Sequence, residues 1–111
     1  MTDYTGLKFQ GAILRKLKKP LSISSGLTIP SLKRGQVLVK LAYSGICKSQ
    51  LMEIQGKRGE DKYLPHLLGH EGSGIVLAIG SGVKKVKPKS RVVLTWIKSK
   101  GIDASTPKFY D

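Results

Sequence analysis

Gly69-His70-Glu71-Gly72-Ser73-Gly74, read together with Cys47, is the stretch on which this 111-residue chain turns. Cys47 is the only cysteine, and His70 lies 23 residues after it. A thiolate, an imidazole and a carboxylate are the three side-chain types that bind zinc, and Cys47, His70 and Glu71 supply one of each. The glycines around His70 and Glu71 mark a backbone that takes positive φ or lets another group approach closely. The stretch therefore reads as a tight loop presenting an imidazole and a carboxylate. The competing reading of the same residues is a buried core thiol and an unrelated surface imidazole.

The surroundings of the loop separate these readings. Tyr43-Ser44-Gly45-Ile46-Cys47-Lys48-Ser49-Gln50, followed by Leu64-Pro65-His66-Leu67-Leu68-Gly69-His70-Glu71-Gly72-Ser73-Gly74-Ile75-Val76, resembles the zinc-dependent medium-chain alcohol dehydrogenase family. The resemblance runs from about Phe9 to Trp96. It is to the start of that family's catalytic domain, whose fold is similar to the GroES barrel. It implies that Cys47 and His70 are two of three catalytic zinc ligands. Glu71 is then an acidic neighbour able to approach the metal, and Ser49 the hydroxyl that passes the alcohol proton towards solvent. Lys48 stands where the family often has a basic residue facing the cofactor pyrophosphate. Gln50 replaces a common acidic residue that accepts a hydrogen bond from the zinc-bound imidazole, a task its amide oxygen can still perform.

Other readings of single residues stand beside these. Ser49 serves equally as a helix cap, Lys48 as a solvated charge and Glu71 as a structural ion-pair partner. His66 is assigned to a loop with no site role.

Elsewhere the chain reads as short strands. Leu7 to Leu14 opens one, and Leu21 to Ser24 alternates with period two. Val37 to Tyr43 is a third, expected to place Val37, Val39, Leu41 and Tyr43 on one face. Cys47 to Gln55 is the only expected helix. Leu51 and Ile54 should share its buried face, and Gly56 should stop it. Ile75 to Ile79 and Arg91 to Ile97 are the remaining strands, and 98–103 reads as loop. Five or so strands with one short helix give a mainly β, antiparallel barrel as the expected fold class. A helix beginning at Cys47 would also favour its thiolate, as would the adjacent Lys48.

Composition narrows the function classes. Length fits one domain, expected to occupy residues 1–111. One cysteine excludes an intramolecular disulfide framework, so a reducing, cytoplasmic setting is expected. The first residues lack the basic and apolar regions of a signal peptide, and no apolar run is long enough to span a membrane. The net charge is +13, concentrated in Arg15-Lys16-Leu17-Lys18-Lys19 and in the stretch from Lys84 to Arg91. Charge alone would suit a nucleic-acid binder, but aromatic residues do not interleave with the basic clusters, so stacking on bases is not expected.

No Gly-x-Gly-x-x-Gly turn occurs, so NAD or NADP is expected only through a Rossmann domain or second chain outside these residues. The family's third zinc ligand also lies beyond Asp111. The four-cysteine structural lobe of many relatives has no counterpart in 98–111, and Lys89-Ser90 replaces the family's usual Gly-Asp. The reading is thus an alcohol dehydrogenase-like oxidoreductase fragment, using Zn2+, acting on small alcohols or aldehydes and inactive alone. Homo-oligomerisation is compatible with it. A non-enzymatic GroES-like interaction module is the main alternative, but that role does not call for Cys47, His70 and Glu71 together.

Overall fold

The computed structural model describes residues 3–97. In chain order these form β1 (Lys8–Leu14), β2 (Ser22–Thr28), β3 (Val37–Ser44), α1 (Lys48–Ile54), β4 (His66–Leu67), β5 (Gly72–Ile79) and β6 (Arg91–Leu94). All pairings are antiparallel. One sheet has the order β2-β1-β4 and the other β3-β5-β6. The fold is mainly β with one short helix, as the strand-sized apolar runs require. The expected loop at 98–103 lies outside the described residues.

Fully buried Ile13, Leu14 and Leu27 come from the first sheet, and Val76 from the second. The two basic clusters occupy exposed turns, after β1 and before β6, where their charges stay hydrated.

Several expected faces are interrupted by irregular pairing. Phe9 pairs with Leu27 but Gly11 with Ser24, so β2 carries an extra residue beside Gly26 and runs on through it. Gly26 thus marks a bulge within a strand, not its end. The bulge inverts the alternation: Leu27 is buried, whereas Ile23 is 65% exposed. Two further shifts lie in the β3–β5 ladder, between Leu38 and Val39 and between Leu41 and Tyr43. The single apolar face expected for β3 is therefore broken, leaving Leu41 and Tyr43 exposed. β6 ends at Leu94, short of Ile97.

The glycine-rich stretch works by two means. Gly69 has φ +136°, a conformation that side chains rarely adopt. Gly74 lies against the Lys40 carbonyl of β3, where a Cβ would collide with backbone.

The turn before β6 explains the Lys89-Ser90 substitution. Lys89 has φ 78°, in the left-handed region. Its N–H donates to the Val76 carbonyl at 2.8 Å, and the Ser90 hydroxyl accepts from the Lys87 N–H at 3.1 Å. Ser90 thus supplies the local acceptor that an aspartate would, while Lys89 bears a strain glycine would not. Lys89→Gly should relieve about 1 kcal/mol of left-handed strain, offset in part by greater unfolded-state freedom. A thermal unfolding scan should show Tm higher by a few degrees. A lower Tm would mean that the lysine side chain is itself stabilising.

Candidate metal centre and the helix that carries it

The site is assembled at one end of the β3–β5 ladder. Ser44 pairs with Gly72, the last pair of the ladder at that end. The Gly45 N–H then donates to the Glu71 carbonyl at 3.2 Å, extending it by one bond. The chain leaving β3 therefore reaches Cys47 beside the chain that brings His70 and Glu71 into β5. Gly45 has a second role here: a Cβ at that position would collide with the Glu71 carboxylate. Only glycine leaves room for Glu71 where it stands.

Cys47 is the N-cap residue of α1, with extended φ −104° and ψ 144°. The Gln50 side chain reaches back, its Oε1 accepting from the Cys47 N–H at 3.1 Å. This is a capping-box arrangement, with glutamine three residues into the helix securing the cap backbone. Gln50 is also the buried face of the helix, 8% exposed, while Leu51 is 49% exposed. The expected Leu51–Ile54 buried face is thus replaced by a polar anchor. The described acceptor bond of Gln50 goes to Cys47, not to the His70 ring.

The Cys47 thiol is held below its ordinary pKa. The largest cause is the Ser49 hydroxyl, whose Oγ donates to Sγ at 3.2 Å; the Ser49 backbone N–H adds to it. The nearby His70 ring pulls the same way, and partial burial opposes them. Ser49, at the second helical position, is therefore a partner of the sulfur. Lys48 is exposed on the first turn of α1.

His70 stands half-buried, its Nε2 4.0 Å from Oε2 of Glu71, too far for a hydrogen bond. That Nε2 is shut away from solvent and has no hydrogen-bond partner. A buried ring nitrogen left unpaired costs on the order of 1–3 kcal/mol. A thiol already biased towards thiolate, an unpartnered imidazole nitrogen and a carboxylate oxygen 4.0 Å from that nitrogen match a zinc-class cation in charge and softness, but their three ligand atoms do not converge within 4.8 Å of one another.

The structure brings Cys47, Ser49, His70 and Glu71 together, and Lys48 flanks them. His66, expected in a loop, is instead the first residue of β4, paired with Leu14. Its Nδ1 lies 2.9 Å from Oδ2 of Asp61. Gln50 as the cap-securing residue was legible in its position three after Cys47, a capping-box spacing, although cysteine is not an ordinary cap.

The alcohol dehydrogenase GroES-like domain matches residues 33–108. An alcohol dehydrogenase from Geobacillus stearothermophilus is 37% identical over 90 residues, covering 81% of this chain and 26% of the relative. Among solved structures, an alcohol dehydrogenase zinc-binding domain protein from Burkholderia ambifaria superposes with TM-score 0.66 at 30% identity. That match covers 74% of this chain and 21% of the other. A protein described as a zinc-binding dehydrogenase from Sinorhizobium meliloti 1021, solved bound to NADP, gives TM-score 0.66 at 28% identity, with 76% and 23% covered. The chain spans about a quarter of the length of the curated relatives it matches.

The geometry predicts the titration of Cys47. Folded, the thiol binds its proton less tightly than when unfolded. The stability it contributes is complete above the ordinary thiol pKa of about 8.5 and is lost as pH falls through the depressed folded value. Alkylation rate against pH should therefore show a midpoint below that of a free cysteine. Ser49→Ala should raise the midpoint, and more than His70→Ala does. Equal midpoints in wild type and Ser49→Ala would show that the hydroxyl does not govern the sulfur.

Proposed function

The chain belongs to the alcohol dehydrogenase GroES-like domain family, and from that premise we propose that it is the catalytic-domain portion of a zinc-dependent oxidoreductase. The reaction is the interconversion of small alcohols and aldehydes or ketones, with hydride exchanged with NAD or NADP. The observation that carries this reading is the buried, partnerless Nε2 of His70 beside the Cys47 thiol and the Glu71 carboxylate.

Cys47 and His70 are the protein ligands in this reading. When bound, zinc supplies Lewis acidity that lowers the pKa of an alcohol substrate. In this reading Ser49 takes the alcohol proton, and what supports it is a hydroxyl half-buried at the helix start, 3.2 Å from the sulfur. Glu71, 44% exposed at its side chain, offers a carboxylate that can approach the ion or retreat to water. Lys48 presents a positive charge on the same turn for a cofactor pyrophosphate.

In this reading the dinucleotide is held by protein outside these residues, which contain no Gly-x-Gly-x-x-Gly turn, and the third ligand comes from there as the family resemblance implies. The second sheet supports this. Tyr43, Ile75 and Val93 border one open cleft and are 78%, 44% and 79% exposed, and Trp96 beyond them is 69% exposed. Apolar exposure of this kind marks a face that other protein covers, and we assign it to the remainder of a longer dehydrogenase.

Calorimetry with zinc at neutral pH should show weak binding by the 111-residue chain. A missing third ligand and Gln50 in place of an imidazole-orienting carboxylate both weaken the site, the latter by about 10–100-fold. Cys47→Ser should remove this component, because an alcohol does not ionise as a thiol does. The same chain should reduce neither NAD nor NADP with alcohols. Undiminished binding at this component in Cys47→Ser would defeat the ligand assignment, and turnover by the isolated chain would defeat the need for further protein.

A further inference from the structure

A second group of metal-ligating side chains lies apart from Cys47 and His70. Glu53, near the end of α1, Asp61, in the following loop, and His66, at the start of β4, converge so that one ligand atom from each lies within 4.8 Å of the others. All three are partly buried. The chain has 20 basic and only seven acidic residues. Two of those seven nevertheless meet at a histidine: Asp61 pairs with His66 at 2.9 Å, and Glu53 is held only loosely by the exposed Arg58, at 3.9 Å.

From this convergence of Glu53, Asp61 and His66 we propose a second site, for a divalent transition-metal ion, that joins the end of α1 to β4. Its arrangement favours an ion in three respects. Asp61 is held in place: its Oδ1 accepts from the Tyr63 N–H at 2.8 Å, which leaves Oδ2 directed at the imidazole. Oδ2 and the His66 Nδ1 are 2.9 Å apart. Two ligand atoms at that spacing, each about 2.1 Å from one ion, subtend about 90°, the edge of an octahedron, and an opening to about 3.4 Å gives the tetrahedral angle that zinc takes. The ion takes the place of the proton between them. Glu53 has three side-chain torsions, through which its carboxylate, already within 4.8 Å of the other two ligand atoms, can turn towards a shared ion. Imidazole with two carboxylates favours zinc or manganese over calcium, which prefers oxygen ligands alone.

The position gives the ion a role. α1 begins at Cys47, and β4 leads through Gly69 to His70. An ion bound here ties together the two segments that carry the candidate ligands of the other centre, in a chain whose single cysteine excludes a thiolate-built structural site. The proposal does not depend on the proposed function.

Zinc titration of the full 111-residue chain, followed by calorimetry, tests it. Two components are expected in the wild type. Cys47→Ser should remove one and leave the other. Glu53→Gln and Asp61→Asn should each weaken that other component at least tenfold while sparing the Cys47-dependent one. Asparagine can still accept from the Tyr63 N–H, and Glu53→Gln alters a partly exposed helical position, so both variants should keep the wild-type circular dichroism. A single component, sensitive to Asp61→Asn and Glu53→Gln but not to Cys47→Ser, would still support this site while refuting the Cys47 assignment. Loss of all zinc uptake in Cys47→Ser, or unchanged binding in both carboxamide variants, overturns the proposal.

Discussion

The pairing of Ser44 with Gly72 at the end of the β3–β5 ladder is the constraint on which the rest of this structure depends. Cys47 and His70 are distant in sequence, and closing that loop costs entropy that local interactions between them could not recover. The ladder meets that cost with backbone hydrogen bonds and the burial of Val76. Once the register is set, Cys47 and His70 have no freedom to be elsewhere. A slip of one residue would invert every side chain of β5 and move Glu71, just before it, away from Gly45. The same ladder explains the close glycines: Gly45 and Gly74 admit, respectively, a carboxylate and a carbonyl into space that a methyl group would fill.

The fold class was legible in the sequence because it rests on patterns that survive local irregularity, whereas placing Cys47 near His70 rested on the family resemblance. β-branched runs at Val37 and Ile75 and the glycine-framed loop needed no knowledge of register. What was not legible depended on single inserted residues. Ile23 and Leu27 have the same parity along β2, yet one is exposed and the other fully buried, because a bulge lies between them. Periodicity presumes an unbroken ladder and cannot announce where the ladder breaks. Leu51 and Gln50 fail the expectation differently. A polar side chain takes the inward position because securing the cap of a seven-residue helix outweighs the burial of one leucine on its far side.

His66 shows the limit of reading residues one at a time. In sequence it sits between a proline and a leucine with nothing to recommend it. Its role comes from Asp61, five residues earlier, which is itself pinned by the Tyr63 N–H. Burial raises the proton affinity of Asp61, but that N–H and the imidazole together outweigh it and hold the carboxyl below its usual range. This contribution to stability is complete above a pH of about 3.9 and is lost as pH falls through the depressed value. The loop between α1 and β4 is therefore ordered by charge and hydrogen bonding, with little apolar burial.

Gln50 links the stability of the chain to the chemistry of its site. An acidic residue at this position would carry its negative charge into the first turn of α1, favourable to the helix, and could orient the His70 imidazole from outside. Glutamine gives up both effects. Its amide is spent on the Cys47 backbone, which fixes where the sulfur points but leaves the imidazole without a described acceptor. The buried Nε2 of His70 then remains the least satisfied polar atom in the neighbourhood. An unpaired nitrogen of this kind destabilises the chain standing alone by an amount comparable to a lost hydrogen bond. A cation bound there would return that stability, and would thereby link the filling of the site to the folding of this segment.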